Sequence, residues 1–347
     1  MTHKCKKGIL CGLLFLSLLG LTFYLVFHGQ DPGQLWAALL QADPTMLGIG
    51  AGCMAFFFCC EAKNLQRGLA MFGSPASYRA CLRYAITGFF FSSVTPSASG
   101  GQPMQVYAMY RDGHPPAPGA MALLVEFFSF QLVAVALGVG GFLFHRQQLL
   151  AMPRGILVCF LVGCALNLLV ALVLTGAVVS PRLLPAVGRG LLVPANRLFP
   201  RQAPGWAASV KTQWQELRHC VQCFRTHPKQ WAAMLGTTLL QLLAYHSIPF
   251  WVSLALGVDS SSLPAMIAMQ SVLFLSVSSL PLPGAVGLTE GGFLLLYQTI
   301  FPAALLPGAM LLSRTLSFYL FLLLSGTILA VYFLRLAWRT PAPTTTP

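Results

Sequence analysis

The stretch TPSASGGQP, Thr95 to Pro103, decides how this chain folds, because it interrupts an apolar run that would otherwise read as one helix. About 13 apolar-rich residues, Leu82 to Val94, lead into it, and a short apolar return to Tyr110 leads out. A bilayer crossing takes about 20 residues, so neither arm crosses alone. The pattern predicts a re-entrant hairpin over residues 82–110. It recurs at PLPGAVGLTEGG, Pro281 to Gly292, with Ala265 to Leu280 descending and Phe293 to Phe301 returning, a second hairpin over 265–303. Backbone that leaves the helix at membrane depth keeps its N–H and C=O groups unsatisfied unless protein or water supplies partners. Each break therefore marks a buried polar site.

The rest of the chain agrees with lipid as the solvent. Of 347 residues, 56% are hydrophobic and 8% charged, and the mean hydropathy is +0.72, far from an ordinary water-soluble domain. Apolar runs of spanning length lie at Gly8 to Phe27, Thr45 to Lys63, Ala117 to Phe144, Gly155 to Val179, Trp231 to Gly257 and Ala304 to Leu334. The expected fold is thus an all-α integral membrane protein with six spanning helices and two re-entrant broken hairpins. Lys4, Lys6 and Lys7 precede the first run as they would precede a signal peptide. No A-x-A-like cleavage site follows, so a retained signal anchor is expected.

The net charge of +13 would suggest nucleic acid in a soluble protein, but here its distribution points to orientation. With a cytoplasmic N-terminus, 18 of the 21 Lys and Arg residues fall on the inner side. Arg146 and Arg154 fall outside, and Arg314 lies within a span. By the positive-inside rule both termini are cytoplasmic, and no nucleic-acid partner is expected. The two hairpins then enter from opposite faces. Residues 45–144 read span, hairpin, span, and residues 231–334 read the same in opposite orientation, the inverted repeat of many transporters. Around these repeats lie residues 1–44 (anchor and outer loop), 145–179 (a connecting span), 180–230 (a basic connector) and 335–347 (a disordered cytoplasmic tail).

In the connector, Trp206, Val210, Trp214, Leu217, Val221 and Phe224 fall at helical spacing, with Lys211, Arg218 and Arg225 off that stripe. An amphipathic helix of this kind lies on anionic lipid; a plain positive-inside loop explains the charge equally well. The 10 cysteines sit mostly in apolar spans or on the basic side and read as small apolar fillers, not disulfides. Cys220, Cys223 and His227 have a loosely zinc-like spacing without a fourth ligand, so no metal is expected. Nucleotide-binding, zinc-protease and hydrolase-elbow motifs are absent from the sequence, and no cofactor is expected.

The chemistry concentrates at the breaks. Thr95, Ser97 and Ser99 offer hydroxyls, Gly100 and Gly101 allow close backbone approach with exposed N–H groups, and Gln102 adds an amide, a set suited to a phosphate oxygen. A structural kink satisfied by its own hydroxyls is the competing reading. At the second break, Pro283, Gly284 and Gly287 loosen the backbone, and Glu290 stands where the returning helix starts. A carboxylate there serves as a helix cap, or as a counter-charge or proton carrier. Glu126 and Arg314 each lie about nine residues into a long span, 26 residues after Gly100 and 27 after Gly287. The repeat predicts comparable places around one cavity, where Arg314 pairs with Glu126 or Glu290, as a headgroup site or as a structural ion pair.

The ordered set TPSASGGQP with Tyr107 and Arg111, Glu126 in the next span, then PLPGAVGLTEGG with Arg314, resembles the membrane domain of bacterial lysylphosphatidylglycerol synthases, the multiple peptide resistance factors, and related stand-alone flippase-like proteins. The likeness runs from about Thr45 to Leu334. It implies residence in the bacterial inner membrane and movement of a phospholipid, aminoacyl-phospholipid or polyprenyl-phosphate lipid between leaflets. The residues expected to hold the headgroup are those of the two breaks, with Glu126 orienting Arg314. The soluble synthase domain of the full-length relatives has no counterpart here, so a separately encoded synthase or glycosyltransferase is an expected partner. A membrane-embedded lipid transferase and a non-catalytic synthase subunit are the alternatives. Two positions depart from the family pattern: Phe127, where an arginine is expected, and Thr289, where a basic residue is common.

Overall fold

The computed structural model describes residues 40–95, 98–150, 158, 161–169, 172, 226–259, 261–278 and 283–339. The first expected span, most of the connecting span, the amphipathic helix of the connector and residues 340–347 of the tail lie outside the described residues, as do Pro96 and Ser97; residues 335–339, expected in a disordered tail, instead continue the last helix. All regular structure among the described residues is helical, so the protein is an all-α membrane protein.

Helix α1, Pro44–Met71, starts where Asp43 accepts the Thr45 N–H at 2.7 Å and Pro44 occupies the first turn, a position that needs no N–H. It ends at Gly73, whose φ of 71° reverses the chain. Ser77 caps α2, Tyr78–Val94, and the first break separates it from α3, Gly101–Arg111. After Gly113 (φ 89°) come α4, Pro116–Phe144, and the short α5, Arg146–Leu150. In the second half, α6 (Pro228–His246) and α7 (Ile248–Ala255) precede α8 (Leu263–Val277). A 3-10 turn at Pro283–Ala285 then leads to α9 (Leu288–Tyr297). Helix α10 (Leu306–Arg314) passes through a π-turn, Thr315–Tyr319, into α11 (Leu320–Arg339).

Among the described residues three helical runs are long and apolar enough to cross a membrane, α1, α4 and residues Leu306–Tyr332. They match the expected spans 45–63, 117–144 and 304–334, although α1 continues eight residues past Lys63. The span expected at 231–257 is two helices. Pro249 has no N–H to donate back to Tyr245, and the Ser247 hydroxyl donates to the Ala244 carbonyl at 2.7 Å, so the ladder breaks at Ser247.

The first half is the long helix α1, the pair α2–α3 and the long helix α4; the second is the broken pair α6–α7, the pair α8–α9 and the run α10–α11. The halves meet chiefly where α4 packs on α8 and where α1 packs on α6 and α7. A Cβ at Gly141 would collide with the Ala268 carbonyl and one at Gly138 with Leu275, so these glycines set the closeness of α4 and α8. Met54, Leu65, Leu69, Tyr84, Met266, Val272, Phe293 and Tyr297 form the apolar core between the halves.

Candidate functional site

Both breaks border one cavity of about 400 Å³. Ala98 and Gln102 reach it from the first break, and Gly284, Ala285 and Thr289 from the second. Glu61 of α1, Ser92 of α2, Gln105 of α3, Glu126 of α4, Tyr245 of α6, Gln270 of α8 and Arg314 of α10 add polar groups to its wall, and Phe127 of α4 also borders it. Phe57, Phe89, Phe130, Phe274 and Phe318 supply much of the apolar remainder.

At the first break the local chemistry closes on itself. Thr95 donates through its hydroxyl to the Phe91 carbonyl at 2.6 Å and accepts the Gly100 N–H at 2.9 Å. This threonine thus supplies partners at the end of α2, as the kink reading expects. Ser99 is exposed and does not line the cavity. Gly100 and Gly101 act by being small: a Cβ on Gly100 would lie 2.7 Å from the Thr95 methyl, and one on Gly101 would lie 2.8 Å from the Gly88 carbonyl. The α2–α3 pair can close only because these positions lack side chains.

The second break is organised around Glu290, which is 1% exposed. Its Oε2 accepts the Gly287 N–H at 2.7 Å, a capping interaction at the start of α9. Its Oε1 accepts Arg314 Nε at 2.7 Å and the Tyr319 hydroxyl at 2.8 Å. Arg314 Nη2 donates to the Gly284 carbonyl at 3.2 Å, and the guanidinium lies 4.5 Å from the Phe318 ring centroid. Gly284 and Gly287 hold φ values of 58° and 88°, a region that favours glycine. Of Pro283, the structure describes the backbone, which opens the 3-10 turn. The π-turn starts at the residue after Arg314; such turns often occur at functional sites.

Arg314 therefore takes Glu290 as its carboxylate partner, and Glu126 stands apart in the same cavity. The other carboxylate on its wall is that of Glu61. Glu61 lies two residues before Lys63, so a span read as ending at Lys63 puts this carboxylate at the boundary. With α1 running to Met71, Glu61 is inside the helix, and an acid at that depth is itself a signal. Gln105 carries no such signal. It is 4% exposed, borders the cavity and has no hydrogen-bond partner among the described residues. Of the two departures from the expected pattern, Phe127 and Thr289 both face the cavity, and the Thr289 hydroxyl donates to the Ala285 carbonyl at 3.0 Å.

Among the described residues no cluster of three His, Cys, Asp or Glu side chains is arranged to hold a metal. No curated protein matches the chain. Residues 9–325 match the family described as the lysylphosphatidylglycerol synthase TM region. A match over most of the 347 residues, on a helical frame whose polar breaks share one cavity, places the chain in the membrane-domain family of the lysylphosphatidylglycerol synthases.

Proposed function

We propose that the protein is a lipid translocase whose cavity takes a phosphate-bearing headgroup while the acyl or prenyl chains stay in the bilayer. The observation that carries this reading is the meeting of both breaks and Arg314 at one cavity. A guanidinium has five N–H donors, and the bonds to Glu290 and Gly284 use two of them. The rest remain for a ligand oxygen at the cavity wall. Ser92, Gln102 and Gln105 add neutral donors around it. Glu290 holds the arginine in place and neutralises it, so an incoming phosphate meets an oriented donor without a permanent excess charge.

The protein would act by lowering the cost of dehydrating the headgroup at mid-membrane. The two halves form an inverted repeat in this reading, each break re-entering the membrane from one face with both termini cytoplasmic. Rocking of one half against the other would open the cavity to each leaflet in turn. Lipids made by a separate soluble synthase would be its cargo.

The test is leaflet-resolved movement of tail-labelled phosphatidylglycerol, lysylphosphatidylglycerol and polyprenyl phosphate in proteoliposomes. Movement of at least one of them well above protein-free vesicles, lost on Arg314→Ala, is the expected result. If none moves, the translocase reading is wrong. Covalent change of the lipid in the same vesicles would instead favour a transferase.

A further inference from the structure

The cavity holds two carboxylates that the Arg314–Glu290 pair leaves uncompensated, Glu61 on α1 and Glu126 on α4. Neither has an ion-pair partner among the described residues; the ion pairs there are Arg314–Glu290 and Arg83–Asp112. The approach of the Gln241 amide to Glu61 Oε2, at 3.4 Å, is long. The groups facing the pair from the surrounding helices do not replace a counter-ion. Tyr245 of α6 carries a phenol, α3 and α8 present the amides of Gln105 and Gln270, Arg314 is already neutralised, and Lys63 of α1 lies outside the cavity lining, where its ammonium donates to Gln66 at 2.9 Å. A second, independent feature marks the cavity as a place that takes a polar occupant: the Gln105 amide, buried to all but 4%, borders it with no hydrogen-bond partner among the described residues.

Two like charges in one small cavity of low dielectric cannot both remain ionised at little cost, and such a pair shares a proton. Resting on the translocase reading above, we propose that Glu61 and Glu126 form a shared proton site through which each anionic lipid crosses together with one proton.

The charge balance leads to that stoichiometry. With Arg314 and Glu290 cancelling, the empty cavity with one shared proton carries a single negative charge. A phosphodiester headgroup adds a second, and a proton taken from the water on the loading side restores the first. On the far side the phosphodiester leaves and the proton returns to water. Lipid anion and proton cross without net charge, so a pH gradient drives the movement and a membrane potential does not. No covalent bond changes and no redox partner is needed.

The experiment uses the full chain in vesicles of phosphatidylcholine and phosphatidylglycerol with a trapped pH dye and tail-labelled phosphatidylglycerol. An imposed pH gradient is expected to bias phosphatidylglycerol toward the alkaline-side leaflet, with dye-reported proton entry accompanying it. A potassium diffusion potential alone is expected to leave the distribution unchanged. In Glu61→Gln and Glu126→Gln, lipid-linked proton entry falls to that of protein-free vesicles. Thermal unfolding and size-exclusion profiles show whether each variant is folded, and Glu61→Asp, which keeps the titrating group, restores proton entry. Phosphatidylglycerol movement without proton flux would overturn the proposal and leave the translocase reading intact. Movement of lysylphosphatidylglycerol alone, without protons, would overturn it too, since a headgroup amine would then occupy the pair. If no lipid moves, both readings fall.

Discussion

Ala98 and Ala285, one at each break, both hold left-handed backbone, with φ of 53° and 50°, and both border the same cavity. They are the only non-glycine residues with positive φ among those described. The left-handed region costs a residue with a Cβ roughly 1–2 kcal/mol. That strain sits three residues before α3 and three residues before α9, where the chain turns at the cavity wall.

Replacing either alanine by glycine removes the strain but loosens the unfolded chain, which returns part of the gain. Ala98→Gly and Ala285→Gly are each expected to stabilise the protein by about 0.5–1 kcal/mol, read as a raised midpoint of thermal unfolding in detergent. A lowered midpoint would mean that the alanine methyls pack more tightly than the turn resists them.

The buried pair of Glu290 and Arg314 should be asymmetric in its response. Losing one partner leaves an uncompensated charge, and Glu290→Gln or Arg314→Met alone is expected to cost about 3–5 kcal/mol. The double variant should lose less than the sum of the two, as a double-mutant cycle on unfolding midpoints measures. Simple additivity would show that the two side chains are not coupled.

Thr95 closes the first break, so its loss should appear in stability first. Thr95→Val removes the acceptor for the Gly100 N–H and the donor to Phe91 and should cost about 0.5–2 kcal/mol. Thr95→Ser, which keeps the hydroxyl, should cost little. If Thr95→Val left stability untouched and abolished lipid movement, the hydroxyl would belong to the ligand and not to the turn.

Gly101→Ala tests the closeness of α2 and α3. Its Cβ would lie 2.8 Å from the Gly88 carbonyl, a backbone atom that no rotamer change can move aside. A cost of about 1–3 kcal/mol is expected. Trimming the other neighbour through Ser92→Ala should not restore the unfolding midpoint, whereas full rescue would show that only the serine side chain was in the way.

Gln105 makes the opposite prediction. Because its amide has no partner among the described residues, Gln105→Leu should change stability by less than about 1 kcal/mol. In the same variant, lipid movement in proteoliposomes should fall severalfold. Unaltered movement would remove Gln105 from the site.

What the sequence determined by itself is whatever depends on nearest neighbours along the chain. Apolar runs of spanning length, the Pro- and Gly-rich breaks, and the glutamate three residues after Gly287 that caps a helix start are all local, because helix length and end chemistry are set within a few residues. The break at Ser247 has an equally local cause, Pro249, yet the apolar run from Trp231 to Gly257 reads as one span because hydropathy does not register a missing ladder donor. Only the tertiary structure decided that both breaks wall one cavity, that Arg314 takes Glu290 and leaves Glu126 in one cavity with Glu61, and that Gln105 borders the site. Those outcomes depend on how α1, α4 and α10 rotate and approach one another. Periodicity and composition do not encode such choices, since a carboxylate 24 residues from Arg314 and one 188 residues away carry the same charge. The packing of α9 on α10 is what brings the Glu290 carboxylate within 2.7 Å of Arg314, while Glu126 stays on α4.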